Sequence, residues 1–379
     1  MEETNVQKSV KKRDMNIELL RIIAMLMVIT LHAIGNGLLF QNANLSTFNT
    51  LLLRFLDTFS LTANGIFLLI TGYYLIDKKM NLKKILSLWG RVIFYSVLMY
   101  IICKSIGLPT DIYNSFLPIM AGQYWFISAY IALYFLSPVI NVLANKLNQK
   151  QYKYLLIILF IMLGVIRIIF NPAGLFSSGM LPVIMMYLLG GYVKKFVKVK
   201  PKQYYFTKYI LLTILFVLIY IVLQIVQNSV EDKQLYYRMT YIVTYFREYN
   251  NLIIVAMTVL IFLKFKSINI KSNVINKIIA LIAPSVFSIY IIHNNISIRD
   301  IMWVTMGAQN YTDTWFFVAY LLLLIIGVFI ACLLIDLVRR GIYALIKKIP
   351  VVNKGIQKIN EKIDKVNTKI NNIFEPECN

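Results

Sequence analysis

Residues 16–36 read NIELLRIIAMLMVITLHAIGN. The run is long and apolar enough to cross a bilayer, yet it carries Glu18, Arg21 and His32. Ionisable side chains inside a membrane span are costly and mark functional positions by default. Arg21 and His32 are eleven residues apart, which at about 100° per residue falls within roughly 20° of three full turns. They therefore share one helix face, about 16 Å apart along the axis. Glu18 precedes Arg21 by three positions, close enough to pair with it. Asn36 extends the same stripe one turn beyond His32. One helix thus offers a cation near one end and a titratable imidazole near the other. A lone polar residue at the edge of a span simply snorkels to water, so the shared face, more than either residue alone, points to a site.

The rest of the chain suits the same solvent. Of 379 residues, 59% are hydrophobic, against about 45–50% in soluble domains, and the chain reads as an integral membrane protein. Ten segments reach the length of a span, with approximate cores at 16–36, 51–76, 86–106, 123–143, 153–171, 179–197, 208–228, 249–266, 277–297 and 314–346. The expected fold is all-α: a polytopic transmembrane bundle of about ten spans over residues 1–346, then a basic amphipathic cytoplasmic tail, 347–379. A net charge of +22 would point to nucleic acid in a soluble chain, but here its distribution accounts for it. With ten spans, 31 of the 39 basic residues fall on one side: the N-terminus, the loops after the second, fourth, sixth and eighth spans, and the C-terminal region. Positive-inside places both termini in the cytoplasm and leaves no need for a nucleic-acid partner.

Cys103, Cys332 and Cys378 form no close-spaced pair, and with only two histidines, His32 and His293, no metal centre is expected. Lys11, Lys12 and Arg13 before an apolar run resemble a signal peptide, but the run is too long and no small-residue cleavage site follows it, so it reads as a retained helix. The abundance of Ile, Lys and Asn fits an AT-rich bacterial genome, and the expected location is the bacterial plasma membrane.

This topology sets depth. His32 and His293 end near the outer face of the first and ninth spans, and Arg21 lies towards the cytoplasm. The two histidines meet if those spans are neighbours. The largest outer loop, near 228–248, is rich in tyrosine, which serves as interface anchors or as sugar-stacking surfaces. In the tail, Ile349, Val352, Ile356, Ile359, Ile363, Val366, Ile370 and Ile373 recur at steps of three and four among lysines. That is a heptad-like helix, lying on anionic lipid or forming a short coiled coil.

Four stretches, in this order and spacing, resemble the membrane-bound acyltransferase family 3: NIELLRIIAMLMVITLHA; NGIFLLITGYYLI (Asn64 to Ile76), with Thr71 and Tyr73 where the family has Ser and Phe; LKKILSLWGRVIFY (Leu82 to Tyr95), with Lys83 and Lys84 where Arg is common; and QYWFISAYIALYFLSPVIN (Gln123 to Asn141). SVFSIYIIHN (Ser285 to Asn294) looks like a late motif of the same family. The resemblance implies transfer of an acyl group, usually acetyl from cytoplasmic acetyl-CoA as co-substrate, to a hydroxyl of a cell-surface glycan or lipid-linked sugar. Many members carry an added SGNH-type esterase domain; none follows here, and a stand-alone member is expected.

The residues fit such chemistry. A thioester is already activated, and the acceptor hydroxyl needs a base. His32 suits that task, or takes the acyl group itself as a nucleophile. Lys78, Lys79, Lys83, Lys84 and Arg91 form a cytoplasmic cradle for the phosphates of the polyanionic donor, with Arg91 ranked above the lysines; Arg21 holds the donor beneath His32 on the same helix face, and Gly72 allows close backbone approach beside Tyr73. Glu18, Asn36, Trp125 and His293 are candidates for acceptor binding or support. Membrane lipids are further partners, and a homo-oligomer is compatible with the pattern. The competing reading is a transporter or flippase of glycan precursors, which would also use buried charge. It would be expected to show broken helices at matching positions of two halves, and no such repeat is found.

Overall fold

The computed structural model describes residues 13–41, 47–170, 179–200 and 204–374. Within them every regular element is helical: α1 (Met15–Asn36), α2 (Thr47–Ser60), α3 (Ala63–Leu75), α4 (Leu82–Ser105), α5 (Ile112–Phe116), α6 (Trp125–Lys146), α7 (Gln149–Phe160), a π-helical stretch (Ile161–Ile166), α8 (Arg167–Phe170), α9 (Met180–Phe196), α10 (Tyr205–Asn228), α11 (Lys233–Phe246), α12 (Leu252–Ser267), α13 (Asn273–Ile282), α14 (Val286–His293), α15 (Arg299–Thr305), α16 (Phe317–Ile346) and α17 (Pro350–Ile373), with short 3₁₀ turns between some of them.

Eight helical segments are long and apolar enough to cross a membrane. Two of the expected ten spans, 179–197 and 249–266, correspond to α9 and α12, of 17 and 16 residues, shorter than the other eight. The stretch before α12 stacks Tyr249 on Trp125 at the start of α6. The far end of α12 meets the start of α1, where Lys266 pairs with Asp14 at 2.7 Å and the Asn16 amide donates to the carbonyls of Phe265 and Ile268. α9 ends with Lys194 on Asp77, 2.5 Å away just past α3. One end of the bundle therefore collects the start of α1 and the ends of α3, α9 and α12.

Two of the spans are interrupted. α2 and α3 meet at a turn over Leu61 and Thr62. α13 and α14 are separated by a 3₁₀ turn containing Pro284, whose ring and missing N–H interrupt the helical ladder. α3 and α9 pack backbone to backbone because glycines face each other: a Cβ on Gly72 would lie 1.9 Å from the Tyr187 carbonyl oxygen, and one on Gly190 2.2 Å from that of Leu69. This is the small-residue contact that membrane helices use in the absence of a hydrophobic drive between them. Asn141 ties α6 into the same joint, donating to the Leu75 carbonyl and accepting from the Tyr187 hydroxyl.

One expectation for local structure needs correction. The segment 228–248 is largely helix α11, not a loop. Tyr236 and Tyr237 are exposed on it, while Tyr245 is buried. Two arginines outside the basic clusters are paired: Arg167 is buried in a two-pronged pair with Glu248, and the partly exposed Arg247 pairs with the buried Asp57 at 2.9 Å. The tail helix α17 is amphipathic as expected, and it docks on α4 through polar groups. Asn367 accepts from the Leu82 N–H, Asn371 bonds both backbone groups of Met80, and Asp364 pairs with Lys83 at 2.5 Å.

Candidate active site

α1 and α14 are neighbours, and they bring together two histidines 261 residues apart in sequence. His32 Nδ1 lies 3.0 Å from His293 Nε2. The other ring nitrogen of His293, Nδ1, is 2.6 Å from the carbonyl oxygen of Ile289, one turn earlier on α14. A carbonyl only accepts, so His293 Nδ1 carries the proton and its Nε2, in the neutral ring, is an acceptor. His32 must then donate through Nδ1, which leaves His32 Nε2 bare. The assignment follows from the network, as tautomers generally must. His293 is fully buried and His32 is partly exposed.

Tyr290 packs against both rings, 6.2 Å from His32 and 6.1 Å from His293 between centroids. Tyr124 donates to the Ile291 carbonyl and accepts from the Asn295 amide, pinning α14 from the other side. Arg299, at the start of α15, is within electrostatic reach of His32, Tyr124 and Tyr290.

At the opposite end, Arg21 pairs with Glu18 at 2.8 Å as the spacing predicted. Lys83, Lys84 and Arg91 line a cavity of about 380 Å³, together with Tyr130, Tyr134 and Phe287. Tyr130 lies within electrostatic reach of both Arg21 and Arg91, so the two arginines serve one region. Arg91 sits over the Phe287 ring, 5.9 Å from its centroid. Phe287 also lines a second, apolar cavity with Met25, Val28, Asn64, Phe67, Phe126 and Tyr290. Met25 and Val28 occupy the α1 face between Arg21 and His32. This second cavity holds only about 10 Å³, room for roughly one water. The basic cavity and this small apolar one share Phe287, and Tyr290, which lines the second, packs against the histidines.

The other sequence candidates fall outside this line. Gly72 is buried against α9, and its lack of a side chain serves helix packing. Tyr73 lies against Phe262 and under Lys266. Neither lines the basic cavity. Trp125 is half-exposed and stacked on Tyr249, and Asn36 is half-buried at the last residue of α1. Phe287, Tyr290 and Arg299 escaped the sequence reading. The first two carried a usable signal, since Phe287, Tyr290 and His293 recur every three residues along one helix. Arg299 carried none.

The family profile described as an acyltransferase domain, acyltransferase family 3, matches residues 15–336. The chain belongs to this family. It is a polytopic membrane acyltransferase, and the matched region takes in both histidines, Arg21 and the basic cavity and stops short of α17. No curated protein and no solved structure matches the chain. Within this acyltransferase the histidine pair is the group best suited to moving a proton, and the basic cavity the one best suited to a polyanion.

Proposed function

We propose that the protein transfers an acyl group, acetyl in the first instance, from cytoplasmic acyl-CoA to a hydroxyl of an extracytoplasmic or lipid-linked polysaccharide, with His32 as the catalytic base. The observation that carries this reading is the bare Nε2 of His32, set by the chain from the Ile289 carbonyl through His293. The acceptor O–H gives its proton to that nitrogen as its oxygen attacks the thioester carbonyl. The tetrahedral intermediate collapses, the C–S bond breaks, and the CoA thiolate takes the proton back from His32. The positive ring formed in between is steadied by its Nδ1–H bond to His293, which becomes charge-assisted.

The donor is taken to rest its phosphates among Arg91, Lys83 and Lys84, with its arm passing Phe287 and Arg21 along the Met25 and Val28 face. The roughly 16 Å between Arg21 and His32 suits an extended arm of that kind. Opening the passage requires Phe287 to turn away, and donor binding is the natural trigger.

The membrane placement follows the same reading: ten spans, both termini cytoplasmic, in a bacterial plasma membrane. The supporting argument is that leaving α9 alone uncrossed would put Lys194–Lys208 and every basic cluster after it on the opposite side from the N-terminal, Lys78–Arg91 and Lys146–Lys153 groups, and leaving α12 alone uncrossed would do the same to Lys264–Lys277 and the C-terminal basic region. The acyl group, but not CoA, then crosses the membrane.

The test is acyl-CoA consumption by purified protein together with the mass of acylated glycans in cells. His32→Gln keeps polarity and approximate size without a titratable nitrogen. It should lower transfer by about 10²–10⁴. Retained glycan acylation in that variant at normal expression would overturn the mechanism, and absence of acyl-CoA consumption by the wild type would favour a flippase.

A further inference from the structure

Helix α17 lies beyond the matched family region, and no step above uses it. It is docked along the segment that joins α3 to α4. Asn371 holds Met80 by both backbone groups, accepting from the N–H at 2.9 Å and donating to the carbonyl at 3.0 Å. Asn367 accepts from the Leu82 N–H at 2.8 Å, and Asp364 takes the Lys83 ammonium at 2.5 Å. The Leu82 N–H belongs to the first turn of α4, which has no acceptor within its own helix, and α17 supplies one. Ile370 packs against the cluster of Met80, Ile85 and Tyr134. Asp364, Asn367 and Asn371 recur at steps of three and four, so one face of the helix does the docking.

The segment under that face carries the cations expected to cradle the donor. Asp364 is on Lys83 itself. Ile373 and Phe374 line a cavity of about 630 Å³ with Lys78 and Lys79, and Asn360 and Ile363 line another with Lys83 and Arg91. The charges that α17 offers in return have the wrong sign for a donor site. Its five lysines, Lys354, Lys358, Lys362, Lys365 and Lys369, are all exposed, and none bonds the rest of the protein among the described residues. The charged group it sets on the cradle is a carboxylate. An extension built to hold a polyanion would turn its lysines inwards. A phosphate arriving at Lys83 instead meets Asp364 already there and must displace it against like-charge repulsion. The ion pair is partly exposed and weak by itself. The three amide bonds and Ile370 keep the helix in place.

We propose that α17 is an autoinhibitory strap on the donor site. Docked, it holds Asp364 on Lys83 in the place of a donor phosphate. Released, it leaves Lys83 to the donor. The inference rests on the placement of the donor's phosphates given above. The apparent affinity for acyl-CoA is then reduced by the fraction of molecules whose strap is open. At saturating donor the strap stays open, and kcat is untouched.

The experiment follows donor KM and strap position in the full chain in lipid nanodiscs. Asp364→Asn should lower the KM for acyl-CoA about two- to fivefold with kcat unchanged, the effect of one exposed ion pair. Asn367→Ala combined with Asn371→Ala should lower it about tenfold. Position is read as the distance between spin labels at Lys150→Cys on α7 and Thr368→Cys on α17, both exposed, on a background lacking native cysteines. One narrow distance should lengthen and broaden in the double alanine variant, and also on saturating the protein with CoA while both asparagines are intact. A KM that stays constant or rises in these variants overturns the strap, since a merely structural tail leaves donor affinity alone and a donor-binding tail loses it. A label distance that saturating CoA leaves unchanged overturns the competition. Arg91→Ala judges the donor placement separately, because no residue of α17 bonds Arg91 among the described residues. A raised KM in Arg91→Ala with an unchanged KM in Asp364→Asn removes the strap and keeps the donor site. An unchanged KM in Arg91→Ala with a lowered KM in Asp364→Asn removes Arg91 from the donor site and keeps the strap.

Discussion

Replacing His293 with alanine tests the histidine pair more sharply than replacing His32, because His293 is proposed to act only through its partner. The 3.0 Å contact gives the Nδ1–H of His32 its acceptor. Without it that donor loses its acceptor, and the positive ring formed on proton transfer loses a charge-assisted bond worth about 1.5–3 kcal/mol. Felt only in the transition state, this lowers kcat by about 10- to 150-fold, at 1.36 kcal/mol for each factor of ten. His293→Gln, which can offer an amide oxygen to the same N–H, should recover part of the loss. The KM for acyl-CoA should stay constant throughout, since His293 touches no part of the basic cavity. The decisive measurement is the double variant: His32→Gln with His293→Ala should be no slower than His32→Gln alone, because groups acting as one unit are not additive. The assay is thiol release from acyl-CoA by protein in lipid nanodiscs, with expression and Tm checked for each variant. Full activity in His293→Ala, or losses that multiply in the double variant, would refute the relay.

Arg91→Ala should raise the KM for acyl-CoA by about tenfold or more with little change towards the acceptor, as expected for one lost charge-assisted phosphate contact; an unchanged KM would make Arg91 a topology residue. On a background lacking native cysteines, a membrane-impermeant thiol reagent applied outside cells should label Lys233→Cys and spare Lys198→Cys; equal labelling of both would overturn the proposed orientation. Gly72→Ala places a methyl group against the Tyr187 carbonyl oxygen, 1.9 Å away before relaxation, and should destabilise the α3–α9 joint by about 1–3 kcal/mol. Gly327→Ala, which meets nothing within 4 Å, serves as its control, and a Tm for Gly72→Ala equal to that of Gly327→Ala would refute the packing argument.

What the sequence determined by itself is what depends on neighbours a few residues apart and on the surrounding solvent. Hydrophobic length and the placement of lysines make the chain a polytopic membrane helix bundle, because a bilayer leaves the backbone no other way to satisfy its polar groups. Helical periodicity alone put Arg21 and His32 on one face and predicted the Glu18–Arg21 pair, seen at 2.8 Å. Tertiary structure decided what lies across that face. His32 finds His293 from the far end of the chain, and only then does the Ile289 carbonyl select which imidazole nitrogen stays bare. Phe287 becomes the joint between two cavities because Pro284 breaks the span just before it and α14 then packs against α1, α4 and α16. Gly72 meets the Tyr187 backbone because α9 packs against α3 there. Arg167 and Arg247 are neutralised because Glu248 and Asp57 come from other segments to meet them. The His32–His293, Gly72–Tyr187, Arg167–Glu248 and Arg247–Asp57 contacts join residues about 80 to 260 positions apart, and the three-dimensional packing that brings them together has no counterpart in local periodicity.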